Sequence, residues 1–250
     1  MKLRNIILTA TVLAALSANA MAGDAKVVGT VKFDGQAPNM NVIKMDADAK
    51  CIANNSGKEV KSPTLVMGTG QTVANVFVRV KSGLPTGKTY TAPTTPVEIN
   101  QHGCMYIPHV IAAMTGQQVK FLNNDGTLHN VHVMSKVNPE LNVAMPAFKK
   151  EAVQTFGKAE DPFMVKCDVH PWMNGFVAVM DNPYFSVTKE DGKFEITGLE
   201  PGTYEVEVWH EKLGTQTFSV TVAAGETKTR DITLKRPDAV SVLDAVMIKK

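Results

Sequence analysis

Long apolar runs are nearly missing from this 250-residue chain. The one at the start, Ile6 to Ala18, is too short to cross a bilayer, so no membrane span is expected. Excess charge is missing too. With 26 basic residues against 24 acidic and no long run of either sign, the chain has no electrostatic footprint for nucleic acid. A Ser-His-Asp order, a phosphate-cradling glycine loop and a paired-carboxylate signal are all lacking, so the chain is expected not to be an enzyme. Cysteine is scarce at three residues, and scarcity makes each one informative.

The short apolar run does have a meaning. Lys2 and Arg4 precede it, and Ala18-Asn19-Ala20 and Ala20-Met21-Ala22 follow it as small-residue cleavage sites. Residues 1–22 therefore read as a signal peptide cut after Ala22, and the mature chain, starting at Gly23, is expected in the periplasm or outside the cell. Cleavage removes Lys2 and Arg4 and leaves 24 basic residues against 24 acidic, a formal charge of zero.

The remainder reads as strand and turn. Lys26 to Phe33, Ala74 to Val80, Val97 to Ile99, Gln118 to Phe121, Val131 to Val133, Phe163 to Lys166 and Phe176 to Met180 are short apolar or alternating segments. Gly, Pro, Asn and Asp separate them, which predicts an all-β sandwich or barrel. Ser135 to Pro162 has the weakest pattern and reads as a loop, with a helical turn near Lys149 to Val153. After Asp181-Asn182-Pro183 the alternation becomes strict. An Asp191-Gly192 hairpin turn and the corner Leu199-Glu200-Pro201-Gly202-Thr203-Tyr204 mark a compact antiparallel unit.

The densest chemistry is Cys167-Asp168-Val169-His170-Pro171-Trp172-Met173: a thiol, an imidazole and a thioether, each two residues from the next. Copper favours that soft and borderline set, whereas magnesium or calcium selects oxygens. Upstream, Phe121-Leu122-Asn123-Asn124-Asp125-Gly126-Thr127-Leu128-His129-Asn130 offers a second imidazole after a polar turn. Cys51 and Cys104 have no ligand-spaced neighbours. In an oxidising compartment they are expected to pair, leaving Cys167 as a metal-bound thiolate. Closing a loop of about 50 residues this way is worth roughly 4 kcal/mol in the chain-entropy model.

These two segments resemble the cupredoxin family of blue-copper proteins, and the two-by-two spacing resembles its short-loop, amicyanin-like members. The resemblance implies a Greek-key β-sandwich over 23–182 holding one copper ion, Cu(II)/Cu(I). His129, Cys167 and His170 would be equatorial ligands and Met173 the axial one. It further implies single-electron transfer with a redox protein, a cytochrome or an oxidoreductase. Asn130 is placed to tie the His129 strand to the Cys167 loop, and Pro171 to stiffen that loop. Trp172 is placed either to dock a partner or to pack against the second unit. Residues 183–250 resemble the carboxypeptidase regulatory-like, transthyretin-type β-module with a short tail, and a hairpin at 26–39 could pack with either unit.

Rival readings stay open at this stage. His129-x2-His132 with Cys167-x2-His170 would also suit tetrahedral zinc, although residues three apart on a strand face opposite ways. Copper delivery without a redox role, or a metal-free scaffold, would use the same fold. His102 and His109 flank Cys104 and could belong to a second metal site, while His210 falls in the second unit. The 13 Met residues are scattered and read as core filler, and Asp24, Asp46, Asp48 and Glu98 as a solvated face.

Overall fold

The structure is a computed structural model that describes residues 23–236. The expected signal peptide, 1–22, and the tail from 237 onward lie outside the described residues. Among the described residues no helix is long and apolar enough to cross a membrane.

The chain opens with β1 (Ala25–Phe33), a short helix α1 (Ala49–Asn54) and β2 (Phe77–Ser82). Next come β3 (Val97–His102), β4 (Met105–Ile107), β5 (Val110–Met114), β6 (Gln118–Asn123), β7 (His129–Val133) and β8 (Leu141–Met145). They are followed by β9 (Glu151–Thr155), β10 (Glu160–Lys166) and β11 (Asn174–Met180). The last six are β12 (Phe185–Val187), β13 (Lys193–Leu199), β14 (Gly202–His210), β15 (Gly214–Val222), β16 (Thr227–Thr229) and β17 (Ile232–Leu234). The fold is all-β, as the turn-punctuated sequence predicts.

Strands β3 to β11 form one sandwich from two sheets, ordered β5-β11-β10-β7-β8 and β4-β3-β6-β9. Its parallel pairs, β5 with β11 and β3 with β6, lie among antiparallel neighbours and are joined through crossover connections rather than hairpins. Inward residues of both sheets meet in one core: Ile99, Phe121, Val131, Val133, Phe163, Val165, Val177 and Val179 among them. Alternation along each strand puts them there, since every second side chain faces the partner sheet.

The second sandwich has sheets β13-β1-β16, with β17 also on β1, and β12-β2-β14-β15. Here the expected division at residue 182 is corrected. β1 pairs with β13, β16 and β17, and β2 pairs with β12 and β14. The N-terminal strands thus complete the C-terminal unit, and the β3–β11 sandwich is inserted between the neighbouring strands β2 and β12. The physical reason is core size. The residues after 183 are too few to bury a sufficient core alone, and Val27, Val31, Phe33, Val73, Val76, Val78 and Val80 join Ile196, Leu199, Val206, Val208 and Leu234 in a single cluster.

Gly29 shows how closely β1 is embraced. A Cβ there would fall on the Arg230 carbonyl and 2.7 Å from the Phe194 ring. We expect Gly29→Val to cost about 3 kcal/mol, at the upper end for overpacking. Thermal unfolding followed by circular dichroism checks it, and an unchanged Tm would refute the composite sandwich.

Two further expectations are corrected. Ser135 to Pro162 is not a loop: β8 pairs with β7 and β9 pairs with β6. Leu141, Val143 and Met145 do alternate, but β9 has its odd positions exposed and carries only Ala152 and Gln154 half-buried, a weak hydrophobic signal. The expected helical turn near 149–153 is therefore largely strand. Helix α1, for which the apolar pattern gave no sign, buries only Cys51.

The sandwiches meet through Phe77, Val110, Ala178 and Met180, flanked by Phe176, Phe185 and Trp209. Arg79 on β2 donates to Glu207 on β14 at 2.9 Å and reaches Asp161 on β10 at 2.5 Å, so it ties the two units together. His109 pairs with Glu211 in the same region. His210 is buried within the second sandwich, where its Nδ1 accepts the Lys212 and Leu213 N–H groups. Burial holds its pKa down at about 4.

Candidate metal centre

β7 and β10 run antiparallel with Lys166 opposite His132, so Cys167 leaves β10 beside the start of β7. His129 opens β7. The following loop is closed on itself: the Cys167 N–H donates to the Met173 carbonyl and the Met173 N–H to the His170 carbonyl, both at 2.9 Å. Exposed Pro171 sits at its apex. The spacing of two between them is what lets so tight a turn aim Cys167 and His170 at one point.

His129 Nδ1 and His170 Nδ1 lie 3.0 Å apart, and Cys167 Sγ is 4.0 and 3.7 Å from them. A metal about 2.0 Å from each nitrogen and 2.3 Å from sulfur in a trigonal plane needs separations of about 3.5 and 3.7 Å. The three donors fit one ion. All are buried, at 0% exposure for His129 and 2% for Cys167 and His170. Met173 is fully buried in the same core cluster as Cys167.

The electrostatics prepare the donors. Burial alone would lower the His129 pKa, but hydrogen bonds to Asp125 and Cys167 raise it to about 9. Burial would raise the Cys167 thiol, yet its contact with His129 and the Asn130, His170 and Val169 N–H groups bring it down. The pair leans toward thiolate and imidazolium, and a metal cation would take the place of the shared proton. Burial and the nearby His129 lower His170, against the pull of Asp48.

Asn130 sits as the sequence suggests. Its N–H faces Cys167 Sγ at 3.5 Å, its Oδ1 accepts the Asp168 N–H at 2.5 Å, and its amide donates to Asn142 and Asp168. His132 points away from the centre and bonds Asp168 at 2.8 Å and Glu140 at 3.0 Å, so the tetrahedral set with His132 does not form. His102 is exposed, and His109 is engaged with Glu211 rather than with His102. Cys51 and Cys104 form the expected disulfide. Trp172 is half-buried and packs within its own sandwich, against its core and the disulfide cluster, and not on the second sandwich. Its indole N–H donates to the Cys104 carbonyl at 3.1 Å and its ring lies 5.1 Å from His170.

Two carboxylates were not anticipated. Asp125 is buried, with one oxygen 2.8 Å from His129 Nε2 and 2.7 Å from the Cys104 N–H, and the other 2.6 Å from the Gly103 N–H. Asp48, expected on a solvated face, caps α1 and places Oδ2 3.1 Å from His170 Nε2. Asp48-Ala49-Lys50-Cys51 has the composition of a helix N-cap, the one local signal available. Its partner lies 122 positions away, beyond any spacing rule.

Residues 177–235 match the carboxypeptidase regulatory-like domain family. No curated protein matches the chain. Among solved structures, a Cu(I) amicyanin variant overlaps at 20% identity over 41% of this chain and 97% of its own, with a TM-score of 0.31. A purple cupredoxin from Nitrosopumilus maritimus overlaps at 20% identity over 33% and 98%, with a TM-score of 0.28. A copper-containing nitrite reductase from Thermus scotoductus SA-01 overlaps at 22% identity over 40% of this chain, with a TM-score of 0.31 and only 26% of the reductase spanned. At this level of overlap, the chemistry rests on the donor geometry itself.

Proposed function

We propose that this chain is an exported mononuclear copper protein that carries single electrons between redox partners and catalyses no reaction of its own. The convergence of His129, Cys167 and His170, buried with Met173, carries the reading. Bound there, copper would supply a one-electron couple. The residues contribute a fixed donor set on a stiff sandwich, so little need move between Cu(II) and Cu(I), and the barrier to electron exchange stays low. Three strong donors with a thioether leave no open position for substrate, unlike the usual catalytic metal site. Burial also favours retention over delivery to another protein.

Addition of one equivalent of Cu(II) to the mature protein tests this. An intense visible thiolate-to-copper band, a mononuclear copper EPR signal and reversible voltammetry with copper retained are expected. A colourless protein, or copper shed on reduction, would refute the electron carrier. Met173→Gln should keep copper and shift the reduction potential, because a weak axial bond adds little affinity but tunes the metal. Loss of copper from this variant would deny Met173 the axial role.

A further inference from the structure

The two imidazoles are each backed by a carboxylate, and each carboxylate is fixed by one half of the disulfide. Asp48 holds the Lys50 N–H at 2.7 Å and the Cys51 N–H at 3.4 Å while it faces His170 Nε2. Asp125 holds the Cys104 N–H while it faces His129 Nε2. Cys51 Sγ itself lies 3.6 Å from His170 Nε2. Thr127 donates to Asp48 at 3.2 Å, and Asn54 donates to the Asp125 carbonyl at 2.9 Å, linking the two sides again. Met45, Met105 and the disulfide form a small apolar cluster with Trp172 against it.

The segment carrying Asp48 and Cys51 comes from between β1 and β2, strands of the other sandwich. Only the bond to Cys104 fastens it covalently to the sandwich that holds the donors. With six helical residues and one buried side chain, α1 has little packing of its own to stay in place. Yet this segment supplies the atoms lying against His170 Nε2, and His170 is 2% exposed.

We infer that the α1 segment is a disulfide-locked cover over the metal centre, and that Asp48 and Asp125 are positioning residues for the two histidine ligands. Asp48 on the cover holds the His170 ring and Asp125 on the β6–β7 turn holds the His129 ring, each with Nδ1 toward the metal position, and the cover shields His170 and, behind it, the Cys167 thiol 3.7 Å from His170 Nδ1. Closure depends on the Cys51–Cys104 disulfide, formed by exchange with a disulfide oxidant that takes up the two electrons and two protons, so the centre is covered only where that exchange can occur. This rests on the copper reading for its purpose, though the cover itself can be tested without metal.

The experiment uses the mature full-length protein and a Cys51→Ala/Cys104→Ala variant, both shown to be folded by circular dichroism. Without copper, alkylation of Cys167 by iodoacetamide is expected to be on the order of ten-fold faster in the variant, because local opening then needs no covalent constraint. With copper, loss of the visible band to EDTA should accelerate by about ten-fold or more, the usual scale for removing support behind metal ligands. Asp48→Asn, with the disulfide intact, should raise the reduction potential, because a neutral amide stabilises Cu(II) less than a carboxylate. Wild-type alkylation and chelation rates in the folded double variant would overturn the cover, and an unchanged potential in Asp48→Asn would overturn its positioning role. Should the double variant not fold, Asp48→Ala is judged on the same two rates, and unchanged rates again overturn the cover. A chain that binds no copper would sink the proposed function, while Cys167 alkylation would still decide the cover.

Discussion

Cys167→Ser should abolish the visible band completely while leaving the protein folded. The sulfur is the donor whose charge transfer to Cu(II) gives the colour, and a serine hydroxyl is a poor ligand for copper at neutral pH. Folding should survive because the cavity is nearly unchanged. The Asn130 N–H that faces Cys167 Sγ at 3.5 Å would find an oxygen acceptor instead. A stability cost of about 1 kcal/mol is expected for such a swap. Copper titration followed by absorbance, with circular dichroism on the same sample, measures both. A serine variant with the same intense band would show that Cys167 is no ligand.

Asp125→Ala should be the most destabilising single change at the site. Its two oxygens satisfy the Gly103 and Cys104 N–H groups and His129 Nε2, and its side chain is fully buried. Truncation strands two buried donors and frees the imidazole, for an expected cost of about 4 kcal/mol. Asn at the same position keeps the shape, but its NH2 must face at least one of those N–H groups. Asp125→Asn should therefore fall between wild type and alanine. Urea unfolding with the disulfide intact measures the series. An alanine variant within about 1 kcal/mol of wild type would mean that the network is not what holds the β6–β7 turn.

The cover explains a contrast within the ligand loop. Pro171 is exposed at the apex, yet His170 beside it is shielded. The shielding comes from a distant segment, so nothing in the loop's own spacing could reveal it. Trp172 follows the same pattern. Its indole N–H is held by the Cys104 carbonyl, a contact set by the disulfide region and not by its neighbours in sequence.

Local chemistry was enough to single out the residues that converge as candidate donors, the pairing of the other two cysteines and the all-β character. Candidate donors two residues apart on one loop, an imidazole after a polar turn and period-two alternation are short-range patterns, each with a physical cause that acts within a few residues. The composite second sandwich, the strands β8 and β9, and the roles of Asp48 and Asp125 were decided only by tertiary structure. Which strand β1 joins depends on the apolar area buried when residues about 170 positions apart meet, as Val27 meets Ile196. A carboxylate written as surface becomes a partner of His170 only when a disulfide spanning 53 residues brings its helix over the centre. Spacing rules act within a turn or a strand, whereas burial and covalent closure act across the whole chain, and those long-range terms placed the cover.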